Sequence, residues 1–439
     1  MKKKLLILGK KIIQHELISG SFYIFVGSMF ANVFAFLLNL FLARSLTYAD
    51  YAIFASLLSI ITLASIPAQS ISPIIVRFAT DYFTKGKESW GAKFYFRSYQ
   101  VITIFAVILF TIFLILSPFI KNFLHLESIF YVFLSGLIVS FSYLALVNNA
   151  FLQSLLKFKF MAFTSSLSGI IKLLTGVAMI ILGFRAFSGL WAILFMLIGS
   201  FLVSFLPLRF IFSRRNGDNI VIPVKDIASY AFATAVTIFF MTSFTSTDII
   251  LVKHFFSAQE AGFYAGLSLI GKVIFYFTAP ISMVMFPLLI KRHNSGKKFN
   301  TLFYLALLLV VLPALAITTF YFIFPHFVIN LFLGGRDYFK ISPLLGIFGI
   351  YLTVFSITNV CVNFFLSLGK TKIAPAVFLA AVSQMALIFL FHKTFLQIIG
   401  ISLLVVTALF IWLFYYYFKN YGGFLEIKKA IIFMNNPRA

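Results

Sequence analysis

Charge is scarce in this 439-residue chain: 10% of its residues are Asp, Glu, Lys or Arg, and only 11 are acidic. Soluble domains carry about a quarter charged residues and about half apolar ones. Here 62% are hydrophobic, which argues against a soluble enzyme. Cysteine is almost missing as well. The one present, Cys361, falls inside an apolar block, so neither an intrachain disulfide nor a thiolate metal site is available. The six histidines (His15, His125, His254, His293, His326 and His392) are scattered, with no HExxH or paired spacing, which disfavours a zinc site. No GxxxxGK[ST] phosphate cradle occurs, so there is no built-in ATPase. The opening MKKKLLILGKK has an apolar run stopped at once by Lys10 and Lys11, and it lacks the h-region and cleavage site of a signal peptide.

What is abundant is apolar sequence in blocks of about twenty residues, the length that spans a bilayer as a helix. Twelve spans are predicted: 20–42, 51–80, 98–120, 129–152, 161–184, 190–212, 227–252, 261–290, 301–324, 343–368, 373–392 and 398–418. The fold class is therefore an all-α polytopic membrane protein, with two parallel six-helix lobes expected around a central cavity. Its parts are a basic arm over 1–19, a first lobe over 20–212, a linker over 213–226, a second lobe over 227–418 and a tail over 419–439. The second and eighth spans contain Pro67, Pro73, Pro280 and Pro287, so kinks are expected there.

The formal charge of +24 reads as topology. With the N-terminus inside, 24 of the 35 Lys and Arg residues fall in inner segments and 7 in outer ones, while Arg77, Lys172, Arg209 and Lys272 lie within spans. The positive-inside rule then puts both termini in the cytoplasm. The positives stand singly between apolar blocks, so nucleic acid is not a partner. The longest outer connection, about 325–341, is too short to fold as a domain.

The halves repeat. ARSLTYADYAIFASLLSI (43–60) aligns with KHFFSAQEAGFYAGLSLI (253–270) at an offset of 210, pairing Thr47 with Ser257, Asp50 with Glu260 and Phe54 with Tyr264. At an offset of 214, Ser142, Asn149 and Gln153 fall on Ser356, Asn363 and Ser367, each trio on one helical face. Six helices per half relates the lobes by an axis along the membrane normal, as in rocking transporters.

Polar residues at membrane depth supply the candidate site. A lysine near the bilayer centre costs about 2.5–3.5 kcal/mol on insertion scales, so it should face a cavity or a partner. Lys172 and Lys272 are so placed, and the preferred reading is a cationic lining for an anionic substrate; burial against carbonyls or a carboxylate is the alternative. Arg77 and Arg209 lie near the inner end of their spans, within reach of snorkelling. Thr234, Thr237, Thr245 and Asp248 form a stripe at helical spacing. For Asp248 three readings stand open: an ion pair with Lys272, a coupling proton, or a place in the outer headgroup layer. Ser21, Ser28, Asn32 and Asn39 make a similar stripe on the first span. Amides and hydroxyls suit sugar hydroxyls, and such stripes also serve as helix–helix glue.

The stretches LNLFLARSLTYADYAIFASLLSI (38–60), TDIILVKHFFSAQEAGFYAGLSLIGK (247–272), FPLLIKR (286–292) and NFFLSLGKTKIAP (363–375) resemble the polysaccharide transporter branch of the MOP flippase superfamily, the Wzx-type exporters. The resemblance spans nearly the whole chain. Ala52 departs from a frequent family glycine, which Gly262 keeps in the second half, and twelve spans differ from the fourteen usual in the lipid II flippase branch. It implies transfer of an undecaprenyl-diphosphate-linked oligosaccharide to the outer leaflet of a bacterial cytoplasmic membrane, for O-antigen, capsule or exopolysaccharide synthesis. It also implies a V-shaped cavity open alternately to either side and no enzymatic activity. The expected assignments are Lys172, Lys272 and Arg77 for the diphosphate, and Asn32, Asn39, Asn149, Gln153, Asn363 and Ser367 for the polar lining, with Asp248 for ion coupling or an ion pair. No metal or cofactor is expected beyond proton or sodium coupling. Partners are the lipid-linked substrate, the bilayer, and a glycan polymerase with other assembly proteins. The competing readings are a MATE-like cation-coupled drug antiporter, which would favour acidic residues in the cavity, and a membrane glycan polymerase, for which the outer loops are too small. A symporter with helices broken at matched positions is a third.

Overall fold

The computed structural model describes residues 2–86, 88–212, 225–294 and 300–421. Most of the expected linker and tail therefore lie outside the described residues, and so do the side chains of Ser21, Pro280 and Pro287. Among the described residues the chain is helical with no β-strand. It divides into two compact units, Met1–Ile227 and Ala228–Ala439. Among the described residues eleven helices are long and apolar enough to cross a membrane, and a bent pair makes up to twelve, which agrees with the predicted span number.

The first unit holds α1 (Lys2–Ser45), α2 (Tyr48–Thr84), α3 (Glu88–Phe123), α4 (Phe130–Ser154), α5 (Phe158–Ile181), α6 (Phe187–Ser204) and a short α7 (Arg209–Phe212). The basic arm and the first span form one helix, α1. Helix α4 packs against α2, α3, α5 and α6 and is the centre of this bundle. It suits that place because it is apolar on nearly all sides. Helix α1 lies along α5 with small residues between them. A Cβ on Gly27 would stand 2.6 Å from Ala162 Cα, and one on Gly169 would stand 2.9 Å from Ala31 Cα. With Gly176 against Leu38, this register shows that the two helices run parallel, as spans one and five must.

The second unit holds α8 (Lys225–Ser243), α9 (Thr247–Phe255), α10 (Ala258–Asn294), α11 (Asn300–Ile323), α12 (Pro325–Leu333), α13 (Ser342–Ser367), α14 (Ala374–Leu390) and α15 (Phe395–Tyr421). Here α13 is central, against α10, α11, α12 and α15. Spans four and ten thus hold the same place in their bundles. Helices α2 and α10 are each continuous through their proline regions.

The 210-residue repeat marks a shared helix start. Thr47 Oγ1 accepts from the Asp50 N–H at 3.1 Å and donates to Asp50 Oδ2 at 2.7 Å. Ser257 Oγ accepts from the Glu260 N–H at 3.3 Å, and Glu260 Oε2 accepts from the Ser257 hydroxyl at 2.6 Å and its N–H at 3.1 Å. These are capping boxes, in which a hydroxyl and an acid three residues on satisfy the orphan donors of a helix start. In the first unit Arg185 joins the box. Its Nε donates to Asp50 Oδ2 at 3.2 Å and its Nη1 to Glu127 Oε2 at 3.3 Å. The α1–α2, α3–α4 and α5–α6 turns therefore meet at one end of the bundle, the end expected outside.

Candidate functional site

The seventh span is not one helix. It breaks between Ser243 and Thr247, and α8 and α9 meet at a bend of 44°. The sequence there, TSFTST, is rich in hydroxyl side chains, which offer the backbone hydrogen bonds that compete with a helix ladder. This corrects the expected stripe: Thr234 and Thr237 lie on α8, Asp248 lies in the first turn of α9, and Thr245 lies in the break. Helical spacing does not carry across it. A break leaves orphan carbonyls that must be satisfied when buried. The Phe244 carbonyl accepts from the Tyr351 hydroxyl at 2.7 Å and from Gln384 Nε2 at 3.1 Å. Gln384 also donates to Ser402 Oγ at 2.7 Å.

Asp248 sits beside this break, 1% exposed. Its Oδ1 accepts from the Ile249 N–H and its Oδ2 from the Tyr264 hydroxyl, both at 2.9 Å. That burial keeps the carboxylate out of contact with solvent. Lys272 on α10 is half-buried and within electrostatic reach of Asp248, yet no direct hydrogen bond or ion pair joins them. Between Tyr264 and Lys272 on the same face of α10 stands Ser268, 1% exposed, whose Oγ has no hydrogen-bond partner.

The first unit presents a different arrangement. Lys172 lies near the middle of the 24-residue α5 and is half-buried. Its ammonium has neither a hydrogen bond nor an ion pair among the described residues. The Gly169–Ala31 and Gly176–Leu38 contacts bracket it, which sets its level on α1 between Asn32 and Asn39. Asn32 is exposed; Asn39 is half-buried and spends its Nδ2 on the Ala35 carbonyl at 2.8 Å. Asn149, Gln153 and Arg77 are exposed. Arg77 stands on α2, which packs chiefly on α3 and α4, whereas α5 packs chiefly on α1 and α6, so Arg77 is not brought beside Lys172 by helix packing.

The matched trios do not have matched surroundings. Ser142 lies 3.5 Å from Ser65, oxygen to oxygen, whereas Ser356 is buried with its hydroxyl unpartnered. Asn363 is half-buried and donates to its own helix at Asn359 O, 2.9 Å away, and Ser367 is buried and donates to Phe364 O at 2.7 Å.

Sequence reasoning missed two buried amides. Asn148, 0% exposed, accepts from Tyr95 at 2.8 Å and Tyr99 at 2.5 Å and donates to Ser204 at 2.6 Å, which ties α3, α4 and α6 together. Gln384 does the same for the helix break. The signal available for Gln384 was a lone amide inside the apolar eleventh span.

The family model described as polysaccharide biosynthesis protein matches residues 41–343. Among solved structures the chain is similar to an inward-facing multidrug resistance MATE family transporter of the MOP superfamily. The TM-score is 0.65 at 14% identity, over 91% of this chain and 95% of that one. It is similar to the lipid II flippase MurJ in an inward closed conformation at TM-score 0.65 and 18% identity, over 92% and 89%. A third similar structure is the MATE multidrug transporter DinF-BH, at TM-score 0.63 and 17% identity, over 92% and 95%. Identities this low show a shared fold. No curated protein matches the chain in sequence.

Proposed function

The chain belongs to the polysaccharide biosynthesis protein family, and on that premise we propose that it is a flippase. In this reading it moves an undecaprenyl-diphosphate-linked oligosaccharide from the inner to the outer leaflet by alternating access, for surface polysaccharide synthesis. The observation that carries it is Lys172, a cation at mid-helix without a partner among the described residues. An uncompensated lysine there is costly, and a diphosphate at about 4 Å would contribute on the order of 4 kcal/mol at an effective dielectric of 20. The exposed amide of Asn32 at nearly the same level suits the sugar end of such a substrate. The family assignment supplies the glycan context.

The charge asymmetry supports an orientation with both termini inside, and a bacterial cytoplasmic membrane is the location this reading implies. A polymerase and other assembly proteins are the partners this reading implies, and proton or sodium coupling would drive it. A MATE-like antiporter is favoured by one observation only, the buried Asp248, and Lys272 beside it weakens that case for a cationic cargo.

The test is export. Lys172→Ala and Lys272→Ala should each abolish surface glycan in a complementation assay while protein in the membrane stays at wild-type level. Normal surface polysaccharide in both variants overturns the cationic-lining reading.

A further inference from the structure

Resting on the flippase reading, we propose that Lys272 is a shared cation: ionised Asp248 holds it, and protonation of Asp248 releases it to an anionic diphosphate. Substrate engagement in the second lobe is thereby tied to uptake of a proton from the aqueous phase onto the Asp248 carboxylate.

The geometry carries this in three steps. First, Asp248 is sealed from water and its oxygens are taken by the Tyr264 hydroxyl and the Ile249 N–H. A tyrosine hydroxyl both donates and accepts. The 2.9 Å contact therefore survives protonation by reversing, with the new carboxylic O–H donating to Tyr264. Second, Lys272 interacts with Asp248 electrostatically without direct contact. A charge held at a distance is released by neutralising its partner, with no hydrogen bond to break. Third, Ser268 stands between Tyr264 and Lys272 on one face of α10, buried and with its hydroxyl unpartnered among the described residues. A lysine side chain on a helix leans toward the preceding turn, so this hydroxyl is available to the ammonium.

The other groups around Asp248 leave it alone as the switch. Tyr351 from α13, Gln384 from α14 and Ser402 from α15 are engaged at the Phe244 carbonyl or with one another. On α9 itself Lys253 and His254 lie more than a turn further on. The repeat provides an internal control. At an offset of 210, Asp248, Tyr264, Ser268 and Lys272 fall on Leu38, Phe54, Leu58 and Thr62. The scaffold common to both lobes does not need the cluster.

The experiment titrates full-length protein in nanodiscs with farnesyl diphosphate between about pH 8 and about pH 6, comparing wild type with Asp248→Asn, Lys272→Gln and Lys172→Gln. Wild type should bind about tenfold more tightly at the lower pH, once the change seen in Lys272→Gln is subtracted as the probe's own titration. Asp248→Asn should bind tightly at both pH values. Lys172→Gln should weaken binding at both and keep the pH dependence. An Asp248→Asn protein with wild-type pH dependence, or one that binds as weakly as Lys272→Gln, overturns the proposal. Wild-type binding in both lysine variants overturns the flippase reading instead. If Asp248→Asn is not monodisperse, a pH-indicator dye decides. Wild type should take up more protons per probe bound than Lys272→Gln, and equal uptake overturns the proposal.

Discussion

Gln384 and Tyr351, from two different helices, donate to the same oxygen, the Phe244 carbonyl, at 3.1 and 2.7 Å. A buried carbonyl has two lone pairs and here fills both. The bend in the seventh span is therefore a built feature, with its freed backbone group satisfied by side chains.

Removing one donor should cost less than half of what removing both costs. Gln384→Leu and Tyr351→Phe each leave the carbonyl one partner, for about 1 kcal/mol apiece. The double variant leaves it bare in the protein interior, so the loss should exceed the sum by about 1 kcal/mol or more. Thermal unfolding of the purified protein over the double-mutant cycle reads this. Additive losses would mean that the two donors stabilise separate things.

This bend also marks where sequence reading stopped. Span number and the two-part organisation were legible because they depend on apolar length. The break was not, because Thr234, Thr237, Thr245 and Asp248 keep a helix-like spacing across residues that leave the helix. The polar trio on α4 likewise hid the buried amide beside it. The repeat matches Asn149 with Asn363, but one residue is about 100° on a helix. It is Asn148 that faces the core and Asn149 that is exposed.

The paired capping boxes should differ in worth. Ser257→Ala removes a cap at an exposed helix start, where Glu260 is also exposed, and should cost about 0.5–1 kcal/mol. Thr47→Ala removes a cap and also takes a hydroxyl donor from Asp50, which is 2% exposed and whose Oδ1 already has no partner. Its cost should reach about 2 kcal/mol. Equal shifts in unfolding temperature for the two variants would show that Arg185 alone suffices for Asp50.

Asn32 offers a test of which helix faces are wet. It is exposed near the middle of the first span with no hydrogen-bond partner among the described residues. Against hydrocarbon, an unpaired amide costs about 4–8 kcal/mol. If its face met lipid, Asn32→Leu would therefore stabilise the protein and leave export intact. A face that meets water and glycan gives the opposite outcome: little change in thermal stability and a clear loss of surface polysaccharide. We expect the second result, because Lys172 stands at nearly the same level on the adjoining helix and also lacks a partner among the described residues. A stabilised, fully exporting Asn32→Leu protein would move the lining away from α1 and leave Lys172 without its polar neighbour.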